Sequence, residues 1–190
     1  MPYEPPPHLA SLTLSQIAAQ VEARKLPPVE GWAPQQEGES NMRIAADGTW
    51  FHEGSPITRE AMVRAFSGLL IRDADGAHFL ISPFEKLSIE VEDAAFIATD
   101  MVVRDENGEP ALAFRLNTDE LVIAGPDHPI LARGSAETPA LYVGVRRGLD
   151  ARLNRSTYQQ LAEHALAVSS AKGGEDWTVS SMGESFRLKP

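Results

Sequence analysis

A chain of 190 residues, 43% of them hydrophobic, can form one domain or two small ones around an ordinary buried core. It has no cysteine, which excludes disulfides, thiolate metal sites and cysteine nucleophiles. A formal net charge of −10 argues against bulk nucleic-acid binding, where Lys and Arg must neutralise phosphates, and against anionic membrane surfaces.

In chain order, residues 1–8 are Pro-rich and read as extended or frayed. They lack the basic region and apolar stretch of a signal peptide, and no later run suits a membrane span, so a cytoplasmic location is expected. Leu14, Ile17, Ala18 and Val21 mark a short amphipathic helix with Thr13 as its cap, ended by Pro27 and Pro28. Residues 27–41 read as a loop, with Trp32 as an anchor packed on the first hairpin-helix-hairpin unit.

Two extended runs, Met42–Ala46 and Thr49–His52, flank Asp47-Gly48, a strong hairpin signal because Gly supplies positive φ cheaply. Thr58 is placed to cap a helix, and Met62, Phe66, Leu69 and Leu70 recur at spacings of three and four, giving it an apolar face. Ile71 to Ser82 reads as a second hairpin turning at Asp75-Gly76. The order hairpin, helix, hairpin recurs near the C-terminus. Leu141–Val145 and Leu149–Leu153 flank Arg147-Gly148, and Asn154 caps a helix with Tyr158, Leu161, Ala165 and Val168 on its apolar face. Trp177–Ser180 and Ser185–Leu188 then flank Met182-Gly183. Aligning Arg59 with Arg155 also pairs Ile57 with Leu153, so a duplicated structural unit is expected. Between the two, Leu87–Val91 alternates as a half-buried strand should. Ala95–Arg104, Ala111–Leu116, Leu121–Ala124 and Ile130–Ala132 continue as an antiparallel meander turning at Asn107-Gly108.

The expected fold is α+β: two packed units of similar build, each a helix against bent antiparallel β-hairpins, joined by a β-meander. The expected divisions are 1–40 for the N-terminal helix and Pro-rich loop, 41–90 for the first hairpin-helix-hairpin unit, and 91–190 for the meander and second unit.

Gly31-Trp32-x-Pro34, the run Asp47-Gly48-Thr49-Trp50-Phe51-His52-Glu53-Gly54, Pro56-Ile57-x-Arg59, Pro83-x-Glu85-Lys86 and Val91-Glu92-Asp93 resemble a bacterial family of unknown function, DUF1285. The likeness is dense over residues 31–93 and loose through about 170. At Ala95 the chain departs from the proline expected before Phe96. The resemblance implies a proteobacterial source and a two-part fold, each part a helix partly wrapped by a bent sheet. It brings no activity, cofactor or catalytic residues; a signalling or regulatory role is a suggestion attached to the family.

His52-Glu53 is the most chemical dipeptide, since an imidazole beside a carboxylate can form a tuned acid/base pair or half a metal site. Adjacent strand residues point to opposite faces, however, unless the strand ends between them. The other four histidines are scattered and none stands at zincin spacing, so no metal is expected. Arg59 and Arg155 stand in first helical turns, where a cation opposes the dipole. Ion pairs with acids such as Glu53 or Asp150 are the expected role of both, with anion capture at Arg59 as the alternative. Glu85-Lys86 and Glu90-x-Glu92-Asp93 read as a solvated strand face, although paired carboxylates can do acid/base work or hold Mg²⁺ or Ca²⁺. Asp73-Ala-Asp75-Gly76 fails as a calcium loop because its twelfth position is Phe84, and no phosphate-cradling or nucleophile-elbow motif occurs. Arg146-Arg147 beside Tyr142 reads as a local surface feature.

The leading functional reading is a non-catalytic ligand- or partner-binding regulatory protein, in signal transduction at its narrowest. It needs no cofactor and binds a small molecule or protein through Trp50, His52, Arg59 and Lys86. The alternative is a small hydrolase using His52, Glu53, Glu85 and Asp93 in the groove between the two units. A third reading is an interaction scaffold using an open sheet edge, with self-association as its sign.

Overall fold

A computed structural model describes residues 7–174 and 177–190. The helices are α1 (Leu14–Ala23), α2 (Glu60–Ser67) and α3 (Arg155–Lys172). The first strands are β1 (Gln36–Ile44), β2 (Trp50–His52), β3 (Ser55–Pro56), β4 (Leu70–Arg72), β5 (His78–Ile81) and β6 (Glu85–Val91). They continue as β7 (Phe96–Glu106), β8 (Glu109–Leu116), β9 (Leu121–Ile123), β10 (Ile130–Gly134), β11 (Pro139–Arg146), β12 (Leu149–Leu153), β13 (Thr178–Ser181) and β14 (Glu184–Arg187). The fold is α+β, in two units of similar build, each with a curled sheet and helix. The expectation for residues 1–6 lies outside the described residues.

The N-terminal unit comprises Lys25–Ile97 together with Val145–Asp150. Its sheet has the order β3-β2-β1-β6-β5-β4. Every described neighbour pair is antiparallel except β1 and β6, which run parallel, so this sheet is mixed rather than a set of antiparallel hairpins. Residues 36–41 are strand, not loop. Their sequence, Gln-Glu-Gly-Glu-Ser-Asn, carries little strand propensity, and the ladder with β6 supplies what the side chains do not. β6 is thus a central strand of this sheet, not the start of the meander. β1 bulges between Glu39 and Arg43, where Asn41 has φ 54° and Ser40 Oγ donates to Ser88 O at 2.7 Å. The indole of Trp50 stacks on Phe66 of α2, with ring centroids 6.3 Å apart. Helix α2 begins one residue later than Thr58 predicts: Arg59 is the N-cap residue and makes no side-chain capping bond. Met62, expected on the apolar face, is exposed.

Val145–Asp150 is the tip of the β11–β12 hairpin. Arg147 at φ 50° and Gly148 at φ 77° both adopt the left-handed conformation of a two-residue type I′ turn. Within this unit the Arg72 N–H donates to Arg147 O at 3.0 Å. The Arg147 guanidinium donates to Glu30, to Gly68 O at 2.8 Å and to Pro27 O at 2.8 Å. Arg146 donates to Ser67 O at 3.1 Å and lies over the Phe96 ring at 5.1 Å. These arginines are structural ties, which explains their clustering in so acidic a chain.

The C-terminal unit comprises the described part of Met1–Arg24 with Ala98–Gly144 and Ala151–Pro190. Its sheet has the order β10-β11-β12-β7-β8-β9. Thr13 and Gln16 form a reciprocal capping box at α1. Leu9, Leu12 and Ile17 pack with Ala113 and Leu121, which ties α1 to the β8–β9 region. Arg104 secures the segment before α1, donating to Leu12 O and Ala10 O at 2.9 Å each. The Asn154 side chain accepts the Thr157 N–H at 2.8 Å, as its capping role requires, and α3 buries Thr157, Leu161 and Ala165. β13 and β14 form their own two-stranded sheet instead of extending the larger one, the main departure of this unit from the build of the other.

Candidate functional site

Trp50 is 1% exposed and packed on α2, so it is a core residue and cannot touch a ligand; the sequence reading that placed it in a binding set is corrected by burial. His52 is exposed at the end of β2, and Glu53 is an exposed turn residue with φ 49°. The strand ends between them, the one condition that lifts the opposite-face argument, but the dipeptide lies in a solvated turn. Arg59 is exposed and forms no ion pair among the described residues, so its expected pairing with Glu53 or Asp150 is corrected. Asp150 instead lies 3.9 Å from Arg72. Lys86 is half-buried, its ammonium 4.0 Å from the Phe79 ring centroid.

Glu85 opens β6 and Asp93 follows its end. A seven-residue strand is roughly 20 Å long. These two carboxylates therefore do not meet at one reacting atom. Glu92 pairs with Arg43 and accepts the Ala46 N–H at 2.9 Å, so part of the acidic run holds the end of β1. Among the described residues no three His, Asp or Glu side chains gather as a metal site would need. His78 and His164 are half-buried, and burial is the main cause that lowers the pKa of each. Arg72 lowers His78 further, against smaller opposing effects of Asp150 and Asp73. Neither stands beside His52 in sequence or sheet.

A cavity of about 400 Å³ lies at the C-terminal end of α3, lined by Leu166, Ser169, Ser170, Gly174, Trp177 and Lys189. Helix α3 stops at Gly173, whose φ of 67° turns the chain away, and the Trp177 C=O then accepts the Leu188 N–H at 2.7 Å. That bond brings Lys189 beside the indole, its ammonium 5.4 Å from the ring centroid. Leu166 points off the buried face of α3 and is 49% exposed. The lining offers a hydrophobic wall, an aromatic face, hydroxyls and a cation. Sequence reasoning placed Trp177 only on a strand. The available signal was Leu166 lying off the helix's apolar stripe, opposite a late Trp and Lys.

The model of the DUF1285 N-terminal domain, a domain of unknown function, matches residues 27–94. The model of the DUF1285 C-terminal domain matches residues 95–188. The chain belongs to the DUF1285 family. The crystal structure of a DUF1285 family protein from Silicibacter pomeroyi DSS-3 is 36% identical with a TM-score of 0.76, over 91% of this chain and 94% of that one. A DUF1285 family protein from Shewanella baltica OS155 is 24% identical with a TM-score of 0.52, over 64% of this chain and 90% of that one, which shows the fold alone. No curated protein matches. DUF1285 membership thus accounts for the two-part build and assigns no activity. No helix among the described residues is long and apolar enough to cross a membrane.

Proposed function

We propose that this DUF1285 chain is a non-catalytic binding protein whose C-terminal unit receives a small organic anion in the Trp177 cavity. The lining carries the reading. Its volume of about 400 Å³ suits a small ligand. The Trp177 ring gives a planar apolar surface, Lys189 a charge, and Ser169 and Ser170 orienting hydroxyls. Among the described lining residues Lys189 is the one titratable group, and its ammonium is the charge that would pair with the anion. A regulatory use, with signal transduction its narrowest form, belongs to the same proposal, as does a cytoplasmic location without nucleic-acid partners, which the acidic balance supports.

The test is a thermal-shift screen of the full chain against nucleotides, cyclic dinucleotides, common carboxylate metabolites and divalent metals. A ligand at a hundred times its dissociation constant stabilises by about 2.7 kcal/mol, a shift of several degrees. The expected result is a shift by one anion class, lost in Lys189→Ala and Trp177→Leu while their unliganded melting stays within a degree or two of wild type. No shift by any anion, or a shift that both variants retain, would overturn the reading.

A further inference from the structure

Strand β1 is only half covered on its outer side. Its partner β2 pairs with Met42, Arg43 and Ile44 alone. On the other side β6 pairs with β1 from Gln36 onward. The Gln36 N–H donates to Phe84 O, so the backbone groups of residue 36 face β6. Alternation then turns those of Glu37 and Glu39 outward. Beyond the bulge the Asn41 C=O accepts the Glu53 N–H at 2.9 Å, where the cover by β2 begins. Among the described residues nothing bonds the outward N–H and C=O of Glu37 and Glu39, and Gln36–Glu39 are all exposed. The edge ends at the bulge after Glu39. On the β6 side of β1, beside the first ladder bond, stands Phe84, 76% exposed.

We propose that this edge accepts, as an added strand, an extended segment of a partner protein carrying Lys or Arg at alternate positions with apolar residues between. Glu37 and Glu39 are two apart and therefore share one face. Lys86 lies across from Glu37 in register, but its ammonium is held over Phe79. An incoming strand would set its own alternate side chains against these carboxylates, where opposite charges stabilise a cross-strand pair. Its intervening residue would lie beside Gly38, where the Leu87 side chain comes within 3.2 Å of the position a Cβ would take and offers an apolar contact. A second copy of this chain is a poor occupant. Antiparallel self-pairing about Gly38 sets Glu37 against Glu39 twice, and like charges directly opposite repel. The segment supplies main-chain bonds for affinity and alternate charges for selection. This inference uses no part of the Trp177 cavity.

The test is fluorescence anisotropy of the full chain with a fluorescein-labelled Lys-Val-Lys-Val-Lys-Val-Lys peptide. Saturable binding is expected. Alternate N-methylation of the peptide backbone, which keeps its charge, should abolish binding in one of the two methylation phases. Glu37→Lys with Glu39→Lys should remove it. Glu39→Pro deletes one outward N–H without touching the ladder to β6, so about a tenfold loss is expected. If Glu39→Pro does not fold, the methylated peptides decide. Absence of saturable binding, or equal binding by both methylated peptides, would sink the proposal. So would a dimer in sedimentation that Glu39→Pro dissolves, which would give the edge to a second copy.

Discussion

The guanidinium of Arg147 donates to the carboxylate of Glu30, joining a hairpin tip to a turn that lies 117 residues earlier in the chain. The same group also donates to Gly68 O and Pro27 O, and only 9% of its side chain is exposed. Hydrogen bonds from a charged donor contribute about 1.5–3 kcal/mol each, whereas an exposed carboxylate adds little. Glu30 is mostly exposed, so the two carbonyls dominate. Arg147→Ala is expected to destabilise the chain by about 3 kcal/mol in urea unfolding, and Arg147→Lys to recover only part of it, since a compact ammonium lacks the planar spread of donors with which the guanidinium reaches three separate acceptors. The bond from Arg147 is also the main cause that lowers the Glu30 pKa. Its small contribution is present above the unfolded pKa and fades as pH falls through the folded one.

At the same tip, Gly148 has φ 77°, and a Cβ there would meet Arg72 O at 3.1 Å. The conformation strains a side chain there, and the space is tight enough that the Arg72 backbone would have to give by a few tenths of an ångström. Gly148→Ala should cost about 1–2 kcal/mol or more by the same denaturation measurement, although Gly→Ala at an ordinary position is neutral or stabilising.

Ser181 is fully buried, accepting the Leu112 N–H at 2.8 Å and donating to Ala124 O at 2.7 Å. One hydroxyl thus serves β13, β8 and the residue after β9. Ser181→Ala leaves that N–H without its acceptor. A loss of about 1–3 kcal/mol is expected, with faster hydrogen exchange at Leu112 than at the rest of β8. Uniform acceleration across β8 would contradict this local reading.

Trp50 makes the opposite case. It is 1% exposed and its indole N–H has no partner among the described residues. Trp50→Ala should cost about 3–5 kcal/mol through the cavity it leaves. Trp50→Phe removes the orphan donor as well as some volume, and the two effects offset, so a change below about 1.5 kcal/mol is expected in thermal unfolding.

Turn chemistry made much of the fold legible. Asn107-Gly108, Arg147-Gly148 and Met182-Gly183 each carry two positive φ values and join neighbouring strands where the sequence placed hairpins. Thr13 and Asn154 cap α1 and α3 because a short side-chain oxygen before an apolar period has one economical use. Gln36–Asn41 was illegible because its strand is held by β6, forty-odd residues away, and not by its own side chains. The parallel pairing escaped for the same reason: a hairpin is a local signal, and a crossover is not. The site was less legible than the fold. His52 and Glu53 attract attention by residue type, yet both lie in solvent. The Trp177 cavity depends on a backbone bond between Trp177 and Leu188 that no spacing rule announces.

Acid should weaken the fold through two histidines. Burial lowers the pKa of both His78 and His164 in the folded chain. The unfolded chain then binds protons more readily between the folded pKa and the ordinary value of 6.5. The stability they contribute is therefore complete above the unfolded pKa and declines as pH falls toward the folded one. Glu30 and Asp47, whose pKa values are also lowered, act in the same direction but only nearer the carboxylate range. Urea midpoints measured from about pH 7.5 to 5 should fall for the wild-type chain, and His78→Gln with His164→Gln should flatten that decline. The slope below about pH 4.5 should persist in the double variant, because carboxylates set it. An unchanged slope from pH 7 to 5 in the double variant would show that neither imidazole is held neutral by the fold.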